Sequence, residues 1–168
     1  MSTQLPGQTS VHEGGAMTWR IDLDGDARRE DELTSRLVEH NQAASEAVRR
    51  RFEPDNLQPR PLQAYAVEQA GQLIGGCTGN TVDTWHWLTV DTLWVDPGHR
   101  GQGIARELVS AVEDAARARG CRSAKLNTWE FQAPGFYERL GYVEYGREVD
   151  YPPGHVNYLM RKDLAATR

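Results

Sequence analysis

The chain has 168 residues, 39% hydrophobic and 26% charged, with 24 acidic against 19 basic side chains and a formal charge of −5. This is enough for one globular domain with a buried core. No run approaches the roughly 18 apolar residues of a membrane-spanning helix, and an acidic balance disfavours nonspecific binding to nucleic acid. The two cysteines, Cys77 and Cys121, form no CxxC and have no companion histidine cluster, so neither a metal site nor a disulfide framework is expected. Both are read as reduced thiols of a cytoplasmic protein.

Met1–Ala16 (MSTQLPGQTSVHEGGA) is rich in Gly, Ser, Thr and Gln and has no Lys or Arg. It lacks the basic start and apolar run of a signal peptide and is expected to be a disordered tail, with Met17 as a candidate alternative start. The folded domain is then expected over 17–168. Thr18–Leu23 alternates like a strand. Glu32–Phe52 has helical period, as one helix or two broken near His40-Asn41, with Leu33, Leu37, Val38, Ala44 and Val48 as inward positions. Three prolines make 53–61 a loop. Leu62–Glu68 and Leu73–Val82 read as a hairpin, and Trp87–Val95 (WLTVDTLWV) as a strand rich in Thr, Val and Trp. Ile104–Arg119 is an amphipathic helix. Its apolar face is Ile104, Ala105, Leu108, Val109, Val112, Ala115 and Ala116; Arg106, Glu107, Glu113, Asp114 and Arg117 face away. Gly120 suits the left-handed residue after it. A strand at Ser123–Thr128, a short helix Pro134–Leu140, and strands Tyr142–Val149 and His155–Lys162 complete an α/β layered order with mixed strand directions.

Between strand and helix lies Val95-Asp96-Pro97-Gly98-His99-Arg100-Gly101-Gln102-Gly103-Ile104-Ala105. A helix start offers unpaired N–H groups and the positive end of its dipole, and glycines let main chain approach a ligand closely. The segment is therefore an anion cradle suited to a pyrophosphate. It has neither the Lys of a P-loop nor a full GxGxxG.

Arg100-x-x-Gly103-x-Ala105 resembles the (Gln/Arg)-x-x-Gly-x-(Gly/Ala) motif of the GNAT superfamily of N-acetyltransferases, in the same strand–turn–helix context. Phe136-Tyr137-Glu138-Arg139-Leu140-Gly141-Tyr142 resembles that family's FYxxxGF/Y segment. Thr128–Pro134 and Asp150–His155 are similar to a bacterial subgroup of it. The resemblance spans about Thr18 to Leu164 and implies the GNAT fold, a mixed central sheet with helices on both faces. It implies acetyl-CoA as co-substrate. The main chain of Arg100, Gly101, Gln102, Gly103, Ile104 and Ala105 would hold the pyrophosphate. Leu93, Trp94 and Val95 would pair with pantetheine and offer an oxyanion donor. Tyr137 would be the acid that protonates the departing thiolate; the alternative for it is a core aromatic beside Phe136.

The family's frequent basic Glu falls at Thr89, which cannot serve. Asp91, two residues on and so on the same strand face, is the first candidate base, followed by Glu130 and His155; His86 is a further titratable group leading into that strand. Trp85, Trp87, Trp129, Tyr151 and His155 are candidates for an acceptor pocket with apolar walls. The expected function is transfer of acetyl to a primary amine of a small molecule by direct attack. Alternatives are a non-catalytic acyl-CoA-binding module, or acetylation of a protein lysine or N-terminus. No metal, nucleic acid or membrane partner is expected, and the assembly is read as monomer or homodimer. The acidic balance mildly favours cationic acceptors.

Overall fold

The structure, a computed structural model, describes residues 11–14, 17–23 and 25–165. It divides into two compact units, 1–44 and 45–168. In the first, strands β1 (Val11–Gly14) and β2 (Met17–Arg20) form an antiparallel two-stranded sheet, followed by helix α1 (Ala27–Ala44). A strand at Val11–Gly14 therefore stands inside the stretch expected as a disordered tail; the rest of 1–16 lies outside the described residues. The strand expected at Thr18–Leu23 ends at Arg20. Leu33, Leu37 and Val38 are the large apolar side chains of α1.

The second unit opens with helix α2 (Glu46–Arg51), capped by Ser45, whose hydroxyl accepts from Val48 N–H. The helix break is thus at Ser45, not near His40-Asn41: the Ser45 hydroxyl there satisfies an orphan first-turn donor of α2. Then follow β3 (Arg60–Val67), β4 (Leu73–Val82), β5 (Trp87–Val95), α3 (Ile104–Ala118), β6 (Ser123–Trp129), α4 (Pro134–Arg139), β7 (Val143–Val149) and β8 (Val156–Asp163). The strands form one sheet in the order β3-β4-β5-β6-β8-β7. All pairs are antiparallel except β5 with β6. That parallel pair requires a crossover, which α3 supplies.

Helix α3 packs on β3, β4 and β5. Its Leu108, Val109, Val112 and Ala116 are buried with Cys77, Leu88, Val90, Ala124, Leu126 and Met160. Each large side chain removed from water there contributes about 1.5–3 kcal/mol. The helix ends as a Schellman turn: Gly120 N–H donates to the Arg117 carbonyl (2.8 Å) and Cys121 N–H to that of Ala116 (3.0 Å). Among the described residues, no helix is long and apolar enough to cross a membrane.

Glu113 departs from expectation. Helical period puts it on the outer face of α3, yet it is fully buried, because its Oε2 accepts from Lys162 Nζ of β8 (2.6 Å) and Arg117 Nη2 (3.3 Å). Removing one partner of such a pair leaves a poorly solvated charge, at about 3–5 kcal/mol. Glu113→Leu is expected to lose that much in urea denaturation, and the Glu113→Leu/Lys162→Met double variant to regain most of it. Equal stability of both variants would show the pair to be uncoupled.

Candidate active site

The parallel pairing of β5 with β6 joins Trp87, Leu88 and Thr89 to Ser123, Ala124 and Lys125 and then stops. Beyond it the strands diverge around a cleft of about 630 Å³. One cause lies in β5 itself. Thr78 pairs with Thr92 and Gly79 with Val90, which leaves Asp91 as the extra residue of a bulge. A bulge bends and twists the strand that carries it. Gly79 makes the close approach possible, since a Cβ there would lie 2.4 Å from the Thr89 carbonyl oxygen.

The main chain of β5 faces the cleft in a defined way. Asp96 N–H donates to the Ile74 carbonyl of β4 at 2.8 Å. Successive amides alternate between strand edges, so Trp94 also points at β4 while Leu93 and Val95 point into the cleft. The Val95 carbonyl accepts from Arg100 Nε at 3.0 Å. Leu93 is thus left with its N–H and carbonyl directed at the open edge. Of the three expected main-chain contacts, Trp94 is withdrawn by its pairing with Gly76; its side chain, 45% exposed, lines the cleft instead.

At the mouth, Asp96 caps a short turn by accepting from Gly98 N–H at 2.8 Å. His99 bridges Asp96 Oδ1 (3.2 Å) and Glu68 Oε1 of the β3–β4 turn (2.9 Å). The hydrogen bond to Asp96 raises the His99 pKa, and the same contact lowers that of Asp96. The loop is so anchored on two sides. Gly101 and Gly103 have φ of +78° and +86°, and a Cβ on either would meet nothing within 4 Å. Gly103 begins α3 without any side-chain cap, so the first-turn N–H groups remain free for an anion. Arg100 and Ala105 line the cleft. These residues fit a pyrophosphate held by main chain.

Tyr137 of α4 lines the cleft from the β6 side and is 8% exposed. Burial, then the nearby Cys77, pushes its pKa up to about 12. The phenol keeps its proton at neutral pH and can donate it. Cys77 is pushed up to about 12 as well, by burial and then by Glu113 and Asp91. It is held as a thiol, which is not the nucleophilic form.

The candidate bases separate. Asp91 lines the cleft, and Asn80 Nδ2 of β4 donates to its Oδ2 at 2.8 Å. Glu130 and His155 are instead joined to each other. His155 Nδ1 lies 2.6 Å from Glu130 Oε1, and Val156 N–H donates to Oε2 at 2.8 Å. The histidine contact holds Glu130 below the usual carboxylate range, which weakens it as a base. Neither belongs to the cleft lining, unlike Trp129 and Phe131 beside them. Trp129 Nε1 donates to the Tyr151 carbonyl at 3.0 Å, so Trp129 and the Tyr151–His155 turn form one rim. His86 Nδ1 contacts the Gly120 carbonyl at 3.0 Å, and its own carbonyl accepts from Arg122 and Ser123. It ties α3 to the sheet, away from the cleft. Trp85 and Trp87 line another cavity with Lys125, Tyr145 and Arg161. No local motif marks Asn80, which reaches Asp91, or Lys125 and Arg161, which line this second cavity; strand register alone brings them there.

The sequence profile described as the acetyltransferase (GNAT) family matches residues 26–142. The blasticidin-S acetyltransferase of Streptomyces morookaense is 41% identical over 133 residues, 77% of this chain and 96% of that protein. Acetyltransferase Atu2258 of Agrobacterium fabrum is 35% identical over 122 residues, 72% of this chain and 80% of that protein. The crystal structure of an acetyltransferase from Bacillus cereus superposes with a TM-score of 0.65 at 27% identity, covering 85% of this chain and 96% of that one. On these matches the chain belongs to the GNAT acetyltransferase family and is an acyltransferase.

Proposed function

We propose that the protein transfers the acetyl group of acetyl-CoA to a primary amine of a small molecule by direct attack. The observation that carries this reading is the edge of β5 left open beyond Thr89, with the uncapped α3 start at one end and the largely buried Tyr137 side chain lining the cleft beside it. Acetyl-CoA supplies an activated thioester. First-turn N–H groups of α3 and the Gly101–Gly103 main chain bind its pyrophosphate, and Leu93 and Val95 line up its pantetheine arm as an added strand. The Leu93 N–H donates to the acyl oxygen, a contact of a type worth about 10²–10³ in rate.

An alkyl ammonium, with a pKa near about 10.4, must lose a proton before it attacks. Asp91, oriented by Asn80, accepts that proton directly or through water. A C–N bond forms, the C–S bond breaks, and Tyr137 returns a proton to sulfur. The purified protein is expected to release free thiol from acetyl-CoA with a panel of primary amines. Binding of acetyl-CoA without release to any amine would favour a non-catalytic module. Asp91→Asn is expected to lower kcat about 10²–10⁴-fold at neutral pH. The deficit should narrow as pH approaches the pKa of the amine; a constant deficit, or none, would remove Asp91 from the proton path.

A further inference from the structure

The cavity beside the cleft, about 420 Å³, lies on the face of the sheet opposite α3. Its walls are Trp85, Trp87 and Tyr145, and Lys125 and Arg161 reach it from adjacent strands. Thr89 of β5 registers with Lys125 of β6, which registers with Arg161 of β8. Two cations therefore stand directly opposite each other across one strand pair, an arrangement that costs stability. Neither has an ion-pair partner among the described residues. The carboxylates of Asp83 and Glu144 are ion-paired elsewhere, with Arg60 and Arg147. An uncompensated cation pair on an aromatic floor is a site for an anion.

The cavity adjoins the reacting end of the cleft. Along β5, Thr89 lines the cavity and Asp91 the cleft; along β6, Lys125 lines the cavity and Asn127 the cleft. Along β6 that step is two residues on one strand face, about 6.6–7 Å; along β5 it leads onto the bulged residue. We infer that this cavity receives the acceptor, and that the acceptor carries, besides its amine, a carboxylate held by Lys125 and Arg161 and an apolar or aromatic body lying between Trp85, Trp87 and Tyr145. The amine half rests on the acetyl-transfer reading above; the carboxylate half rests on the cavity alone. The local charge thus opposes the overall charge of −5, which by itself pointed to cationic acceptors. Charge at the site, not summed over the domain, sets which ligand end is held.

The test uses the full chain with 4-(aminomethyl)benzoate and its uncharged counterpart 4-(aminomethyl)benzamide. Thiol release from acetyl-CoA is expected to favour the benzoate by about tenfold or more in kcat/KM, as for charge-assisted hydrogen bonds. Arg161→Gln and Lys125→Gln are each expected to cut the benzoate-to-benzamide ratio about tenfold. Because both variants relieve a like-charge contact, their Tm should not fall below that of the parent. A ratio near one in the parent, or one that neither variant changes, overturns the inference. If neither probe is acetylated, the acetyl-transfer reading loses support while the carboxylate site is still decided by titrating tryptophan fluorescence. Tighter binding of benzoate than benzamide, lost in Arg161→Gln, supports it; equal or absent binding overturns it.

Discussion

Replacing Tyr137 with phenylalanine is expected to lower kcat by about 10²–10⁴ while acetyl-CoA affinity stays near that of the parent. The substitution removes one oxygen and little else. The ring keeps its edge contacts with Phe136, 5.1 Å between centroids, and Tyr142, 5.7 Å, so α4 remains seated on the sheet. The lost group is a proton donor that burial holds protonated, with a pKa pushed up to about 12. It follows that turnover should not lose this donor anywhere in the ordinary assay range. An alkaline fall in kcat well below pH 12 must come from another group. Unchanged kcat in Tyr137→Phe, with the chemical step rate-limiting, would mean that water protonates the sulfur and that Tyr137 is a core aromatic.

The other large effect belongs to the main-chain cradle. Gly103→Val is expected to weaken acetyl-CoA binding by about 10²–10⁴-fold in calorimetry, equivalent to losing about two charge-assisted hydrogen bonds at about 1.5–3 kcal/mol each. The protein itself offers a Cβ at Gly103 open space, with nothing within 4 Å. The clash would therefore be with the ligand. Valine also carries backbone strain at a φ of +86°, about 1–3 kcal/mol, and Tm should fall. Gly120→Val separates the two effects. Gly120, at the opposite end of α3, has a φ of +82°, and its nearest foreign atom to a Cβ is 3.9 Å away. It should lose similar stability and keep its affinity for acetyl-CoA. Equal affinity loss in both variants would assign the effect to strain and reject the cradle.

Local signals account for much of the second unit. β4 and β5 occupy the segments their composition indicated, and α3 starts at Ile104 after the glycines and stops before Gly120. These boundaries depend on propensity, period and caps, which act within a few residues. The failures are non-local. Glu113 looks like a surface acid but is buried, because Lys162, distant in sequence, meets it from β8. Glu130 and His155 look like two independent titratable groups, yet each satisfies the other.

By itself the sequence determined the glycine-rich turn between β5 and α3, the tyrosine on a short helix downstream, and with them the family. Each is a local pattern whose chemistry depends on residue type and spacing. The tertiary structure alone decided which backbone edge and which side chains meet around the reacting bond. The bulge at Asp91 and the end of β5–β6 pairing at Thr89 open the cleft, and strand alternation selects Leu93 over Trp94. Register across three strands gathers Thr89, Lys125 and Arg161. Pairing between strands far apart in sequence sets all of these, and a one-residue change in register would turn each side chain to the opposite face.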